Sequence, residues 1–392
     1  MTRPIQEIAI LGGGLAGLSL AVELIRANAQ ARITVVDPRR EYTDDRTWCF
    51  WDVMDHPYRN AVSHRWRQWR ITTRAGVTDA TCSRYPYCRL PAAGFYEAAL
   101  GQLDDAANVT LAIGERVDSV ADRDAAVHIN TDARTIQADL AFDARPPEPT
   151  DWPSNGHPFL WQTFTGWRVR TDEPVWSTDA VDLMDFRDRP SSDAIGFVYI
   201  LPLTAHEALV ESTAFVPTDH PTRPDHDAHL RRVLGERLAS RNYAVTARES
   251  GRIPMTSAPP PRSQTKRVVP IGTRAGAPRP SSGYAFLPIQ RHSQRLARQL
   301  AAGEYPSAAL RSAATRWLDG VFLRRLARDP ESAPTLFQTL FARVPADRLV
   351  RFLTETGTWD DHLNVMSALP IGRFAAEALV GPWRALPRAH QC

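Results

Sequence analysis

Residues 8–25 read IAILGGGLAGLSLAVELI, and the fold follows from them. Residues 8–11 form a short apolar run suited to a buried parallel strand. Glycines follow at 12, 14 and 17, and an apolar stretch with helical spacing continues to about residue 28. In this G-x-G-x-x-G pattern Gly12 permits the tight turn and Gly14 lets a pyrophosphate approach the backbone. Gly17 allows helix and strand to pack closely, with the helix N-terminus facing the phosphates. Residues 33–36 predict a second strand ending at Asp37, about twenty residues beyond the last glycine, where a carboxylate binds ribose hydroxyls. The expectation is an α/β chain with a Rossmann-type dinucleotide-binding lobe. Four glycines and Glu23 interrupt the stretch, and no basic segment with a cleavage pattern accompanies it, so neither a membrane span nor a signal peptide is expected.

Working outward, 392 residues of which 43% are hydrophobic suffice for one large or two moderate cores. Forty-seven basic against 44 acidic residues leave +3, too balanced for a nucleic-acid partner. The four cysteines, Cys49, Cys82, Cys88 and Cys392, form no CxxC or Cys/His cluster, so no metal and no disulfide framework is expected, and a reducing, cytoplasmic setting fits. Residues 109–112, 125–129 and 140–143 read as strands, and 144–160 as a proline-rich crossover. The expected organisation is a cofactor lobe begun by 1–150, an antiparallel-sheet substrate lobe over 151–262, a return to the cofactor lobe over 263–300, and a helical C-terminal region over 301–392.

The far downstream stretch IGTRAGAPRPSSGY (271–284) resembles the second flavin motif of FAD-dependent hydroxylases and reductases. That resemblance selects FAD and implies that Gly272, Gly276 and Gly283 lie near the flavin and its phosphates. Thr273 stands where that superfamily carries Asp, and Arg274 is expected to take over a phosphate contact.

Several further segments, in order, are DRTWCFW (45–51), FDARP (142–146), LMDFR (183–187), FVYILPL (197–203), ALVESTAF (208–215), IPMT (253–256), LFQTLF (336–341) and SALP (367–370). Together they resemble the bacterial flavin-dependent lycopene cyclases over roughly residues 7–375. The resemblance implies β-ring closure on the ends of lycopene or a related linear carotenoid. It also implies reduced FAD with NAD(P)H as reductant, and no net redox change in the substrate. Such a reaction begins with protonation of an alkene, a very poor base, and needs an acid that stays protonated near neutral pH. Glu211 occupies the place of the family's essential glutamate, in an apolar strand that raises a carboxyl pKa by desolvation. Ser212 stands where the family commonly carries a second acid, so that acid is not available. Glu249 and Asp185 are further catalytic candidates, each also readable as structural.

Trp48, Phe50, Trp51, Phe197, Tyr199, Phe215, Tyr284 and Phe286 fall in the matching segments and suit either the core or a pocket that stabilises cations. Arg46 is a candidate partner of a flavin phosphate or of Asp37. Residues 316–328 (RWLDGVFLRRLAR) set an apolar stripe beside arginines, which predicts either a membrane-surface helix or one packed on its own core. The protein is therefore expected at the inner face of the membrane, as a peripheral protein. The rival reading is an FAD-dependent hydroxylase or prenyl reductase acting on a lipophilic substrate. It gives no reason for Glu211 or for the 45–51 segment.

Overall fold

The computed structural model describes residues 5–379 apart from 153–155, 192–193, 218–223, 240, 262, 264 and 308. A five-stranded parallel sheet forms the first layer, in the spatial order Val268–Pro270, Leu140–Asp143, Glu7–Leu11, Arg32–Asp37, Val109–Ile113. Glu7–Leu11 is central, and its unbroken apolar run suits a strand covered on both faces. On one face the helix Leu15–Arg26 packs against Phe286–Ala301. On the other lies a three-stranded antiparallel sheet, whose Val127 and Ile129 meet Ala9 and Leu11. The helical region thus begins at Phe286.

The second layer is a seven-stranded sheet in the order Tyr243–Thr256, Phe159–Thr171, Glu207–Pro217, Ile195–Thr204, Ala180–Asp185, Gln68–Thr73, Gly76–Thr81. Its last two strands correct the expected lobe boundary, because Gln68–Thr73 pairs with Ala180–Asp185 and Gly76–Thr81 follows at its edge, rather than both staying with the first 150 residues. The cause is the alternation in Gln68–Thr73. Trp69 and Ile71 point to one face, and joining the larger sheet buries both. One face of this sheet is covered by the helix His226–Leu238, the other by the C-terminal helices. A small sheet of Thr47–Trp51, Tyr87–Pro91 and His64–Trp66 contributes side chains to both large cores.

The helix Ala313–Arg328 resolves the two readings of its stripe toward the core. Val321, Leu323 and Leu326 are buried, while Arg324 is buried, Arg325 pairs with Asp329, and Arg328 pairs with Glu377. Arg316 donates to the Arg311 carbonyl, and of the stripe only Trp317 is largely exposed.

Candidate active site

Gly12 holds φ +105°, which an L side chain rarely adopts. Gly14 begins the helix in an extended conformation with no side-chain cap, leaving first-turn N–H groups open to a cavity that Gly12, Gly14, Leu15 and Ala16 line. Gly17 is not in the cavity wall; a side chain there would collide with the Gly12 carbonyl oxygen, so its absence sets the helix-to-loop distance. Asp37 is buried, and its Oδ2 accepts the Gly13 N–H at 2.6 Å. Of the two partners considered for Arg46, Asp37 is taken by Arg39, whose backbone N–H and Nε both reach Oδ1 at 2.9 Å. Burial alone would raise the Asp37 carboxyl, but Arg39 and the Gly13 N–H hold it below its ordinary value. Arg46 stays at the cavity wall, paired with Asp45 at 2.6 Å.

In the second motif Gly272, Thr273 and Gly283 line the same cavity. A side chain on Gly283 would collide with Gln162, whose Oε1 is buried with no partner among the described residues. Arg274 does not reach the cavity. It lies in a single 3-10 turn, Gly272–Ala275, on the side away from Thr273, and donates to the Arg145 carbonyl at 3.1 Å with Asp143 at 3.4 Å. Gly276 closes that turn in the left-handed conformation and is structural. An open helix N-terminus, a buried carboxylate at the end of the second strand, close-approach glycines and an orphaned amide oxygen together fit a dinucleotide.

At the other end of the cavity four residues stand side by side across the seven-stranded sheet. Tyr199 is in register with Glu211, Glu211 with Gly166, and Gly166 with Glu249. Residues directly opposite in antiparallel strands share a face, and Tyr199, Glu211 and Glu249 line the cavity. Glu211 Oε1 accepts the Thr213 hydroxyl at 2.5 Å, and Glu249 Oε2 accepts the Thr47 hydroxyl at 3.0 Å. Burial pushes the Glu211 carboxyl up to about 8; Thr213 opposes the shift and the charge of Glu249 adds to it. Burial raises Glu249 as well, against the opposing pull of Thr47 and Arg89.

Ser212 points to the reverse face, where its hydroxyl meets His226 Nδ1 at 2.8 Å and His229 Nδ1 at 2.7 Å. A second acid at 212 would have faced away from the cavity. The acid beside Glu211 is Glu249, the candidate on the strand beyond Gly166, and position 212 carries none. Asp185 is not brought to the cavity wall. It is buried in ion pairs with Arg187, at 2.6 Å, and Arg237. Burial would raise its carboxyl, yet the two arginines hold it low, and an ionised carboxylate held this way is no proton donor.

Seven of the eight aromatic candidates line the cavity; Phe50 does not, being stacked on Phe286 at 4.2 Å within the core. The structure adds Tyr87, whose hydroxyl accepts from Tyr199 at 3.0 Å and meets Tyr284 at 3.0 Å. It also adds Phe322, Phe337 and Phe341 from the C-terminal helices. The cavity holds about 1140 Å³ and runs from the glycine loop past both glutamates. Among the described residues no His, Cys, Asp and Glu group suits a metal ion, and no helix is long and apolar enough to cross a membrane.

Fold and site define an α/β protein in which a glycine loop that fits a dinucleotide and two half-buried acids open on one apolar cavity. The architecture is shared with solved structures of a salicylate hydroxylase in a substrate complex (18% identity, TM-score 0.55, covering 97% of this chain and 99% of that one). It is shared also with the flavin-dependent monooxygenase PieE in complex with FAD and substrate (14% identity, TM-score 0.57, 96% and 72%). The chain belongs to the lycopene cyclase family, whose model matches residues 7–377. A lycopene beta-cyclase of Pantoea ananas is 24% identical over 392 residues, spanning 94% of this chain and 96% of that protein.

Proposed function

We propose that this protein is a carotenoid cyclase that closes β-rings on linear lycopene with FAD, kept reduced by NAD(P)H. The observation that carries the reading is Glu211. It is a carboxyl raised to about 8, without a cationic partner among the described residues, facing a cavity walled by aromatic rings. Gly12, Gly14, Asp37, Gly272 and Gly283 would hold the dinucleotide. Bound and reduced, FAD supplies an electron-rich ring system beside developing positive charge. Glu211 gives its proton to the terminal double bond, and a neighbouring double bond attacks the tertiary cation to close the ring. Trp51, Phe197, Phe215 and Phe337 shield that cation from water and offer π-faces to it.

Substrate would enter from lipid. Trp317, Leu363 and Met366 line the cavity and are 52%, 59% and 50% exposed, with Trp359 at 82% on the same helix as the last two. This apolar mouth suits peripheral contact with a bilayer.

Anaerobic incubation with lycopene in lipid, FAD and NADPH, followed by chromatography and mass spectrometry, tests the proposal. New bands of unchanged mass support cyclisation. Added oxygen or hydrogen would assign the hydroxylase or reductase chemistry of the rival reading, and no change would leave a carotenoid binder.

A further inference from the structure

We propose that Glu211 and Glu249 act as an acid–base pair across Gly166, Glu211 giving the proton that starts ring closure and Glu249 taking the proton that ends it. The proposal rests on the cyclase reading above and names the base that reading lacks. Gly166 lies in the strand between the two acid-bearing strands, in register with both, so the two backbones stand about 10 Å apart. A Cβ at 166 would sit 3.1 Å from Glu249 Cγ and 3.2 Å from Leu209 Cδ1. Glycine therefore lets the Glu249 side chain and Leu209 lie directly over the intervening strand, and both carboxyl groups line the cavity. The carbon that gains a proton and the carbon that loses one are different atoms of the forming ring, and two carboxyls on one cavity wall can serve both.

The surroundings of the two acids differ in sign. Glu249 accepts from Thr47 and feels Arg89 and Arg168, the latter paired with Asp44 at 3.0 Å. Among the described residues Glu211 accepts only from Thr213, with Cys49, Tyr199 and Tyr284 as its uncharged neighbours. A single shared proton therefore resides on Glu211 and leaves Glu249 the carboxylate. In the cycle the Glu211 O–H bond breaks as a C–H bond forms at the alkene, and the second double bond closes the C–C bond. A ring C–H bond then breaks, its electron pair becoming the ring double bond and its proton passing to Glu249. One proton moved from Glu249 to Glu211 over Gly166 restores the pair, with none consumed.

The test compares wild type, Glu249→Gln and Glu249→Asp as holoproteins with reduced FAD and lycopene in vesicles, in H2O and D2O. For Glu249→Gln the β-product should fall about a hundredfold. The residual rings should shift toward isomers with the double bond elsewhere, because another acceptor takes another proton. Recovered linear substrate should carry deuterium, since protonation by Glu211 continues and reverses. Glu249→Asp should retain the β-isomer with a loss of only about tenfold. A Glu249→Gln variant that keeps the β-isomer ratio, at any rate and without deuterium in the recovered substrate, overturns the proposal. So does a Glu249→Asp variant no better than Glu249→Gln. Infrared titration of the carboxyls separates this idea from the cyclase reading, because it needs no turnover. Either Glu249 variant should displace the Glu211 midpoint, downward for Gln. An unmoved midpoint sinks the pair even if wild type makes no ring at all.

Discussion

Replacing Glu211 by glutamine should abolish ring formation and at the same time make the protein more stable at neutral pH. The folded-state value of about 8 compares with an ordinary 4.5, so between those limits the native state holds a proton that the unfolded chain has released. Stability therefore falls as pH rises through that window, a loss fully developed above pH 8 and absent below 4.5. By pH 7 the difference amounts to as much as about 3 kcal/mol, or about 4 °C in melting temperature for a chain of this length. Glutamine keeps an acceptor for Thr213 and never ionises, so the variant escapes that loss. Melts of both proteins with saturating FAD from pH 5 to 8 should diverge as pH rises, the variant melting higher. Cyclisation should fall about a thousandfold, the scale of a lost general acid. Parallel melting curves with a constant gap at every pH would refute the raised carboxyl, and with it the reason for assigning the acid to this residue.

Gly17→Ala should drive a methyl into the Gly12 carbonyl and spread the loop; flavin absorbance after purification should show FAD affinity at least about tenfold weaker. Asp185→Asn should leave Arg187 and Arg237 without their carboxylate and cost about 1–3 kcal/mol in denaturant melts. Turnover per folded molecule should stay within about twofold, as the side chain does not line the cavity. Leu363→Ser with Met366→Ser should reduce co-sedimentation with vesicles by about fivefold, while turnover of detergent-dispersed substrate changes little.

What could be read in the amino-acid chain was what its local spacing determines. Gly12, Gly14, Gly17 and Asp37 lie within one strand–helix–strand unit, and their roles follow from counting residues. Glu211 showed itself by the apolar strand around it. Glu249 could be named as a candidate but not placed beside it, because the two acids meet only through the register of a third strand, and nothing near 166 announces that its missing side chain lies between them. Another signal was present and went unread. Three strands end in Asp followed two residues later by Arg, at 37 and 39, 143 and 145, 185 and 187, and in each the arginine folds back onto its aspartate. That repeat marks Asp185 as an ion-pair residue and Arg39, rather than Arg46, as the partner of Asp37. Likewise the helical period at 316–328 gave the stripe but not the side it faces. Positions 359, 363 and 366, spaced one and two turns apart, carry the exposed apolar face.

The hairpin formed by residues 68–81 ties the order of synthesis to the order of assembly. A ribosome that has released the first 150 residues has made a glycine-loop unit whose sheet still lacks its outermost member, Val268–Pro270. Trp69 then has Trp51 beside it, but the sheet that Gln68–Thr73 joins is missing until Ala180–Asp185 emerges. Early domain-wise maturation is thereby blocked, and the nascent chain must be shielded through most of translation. The same interlacing means that two fragments cut in the proline-rich crossover at 144–160 should be unstable alone. Mixed together, they should rebuild one particle.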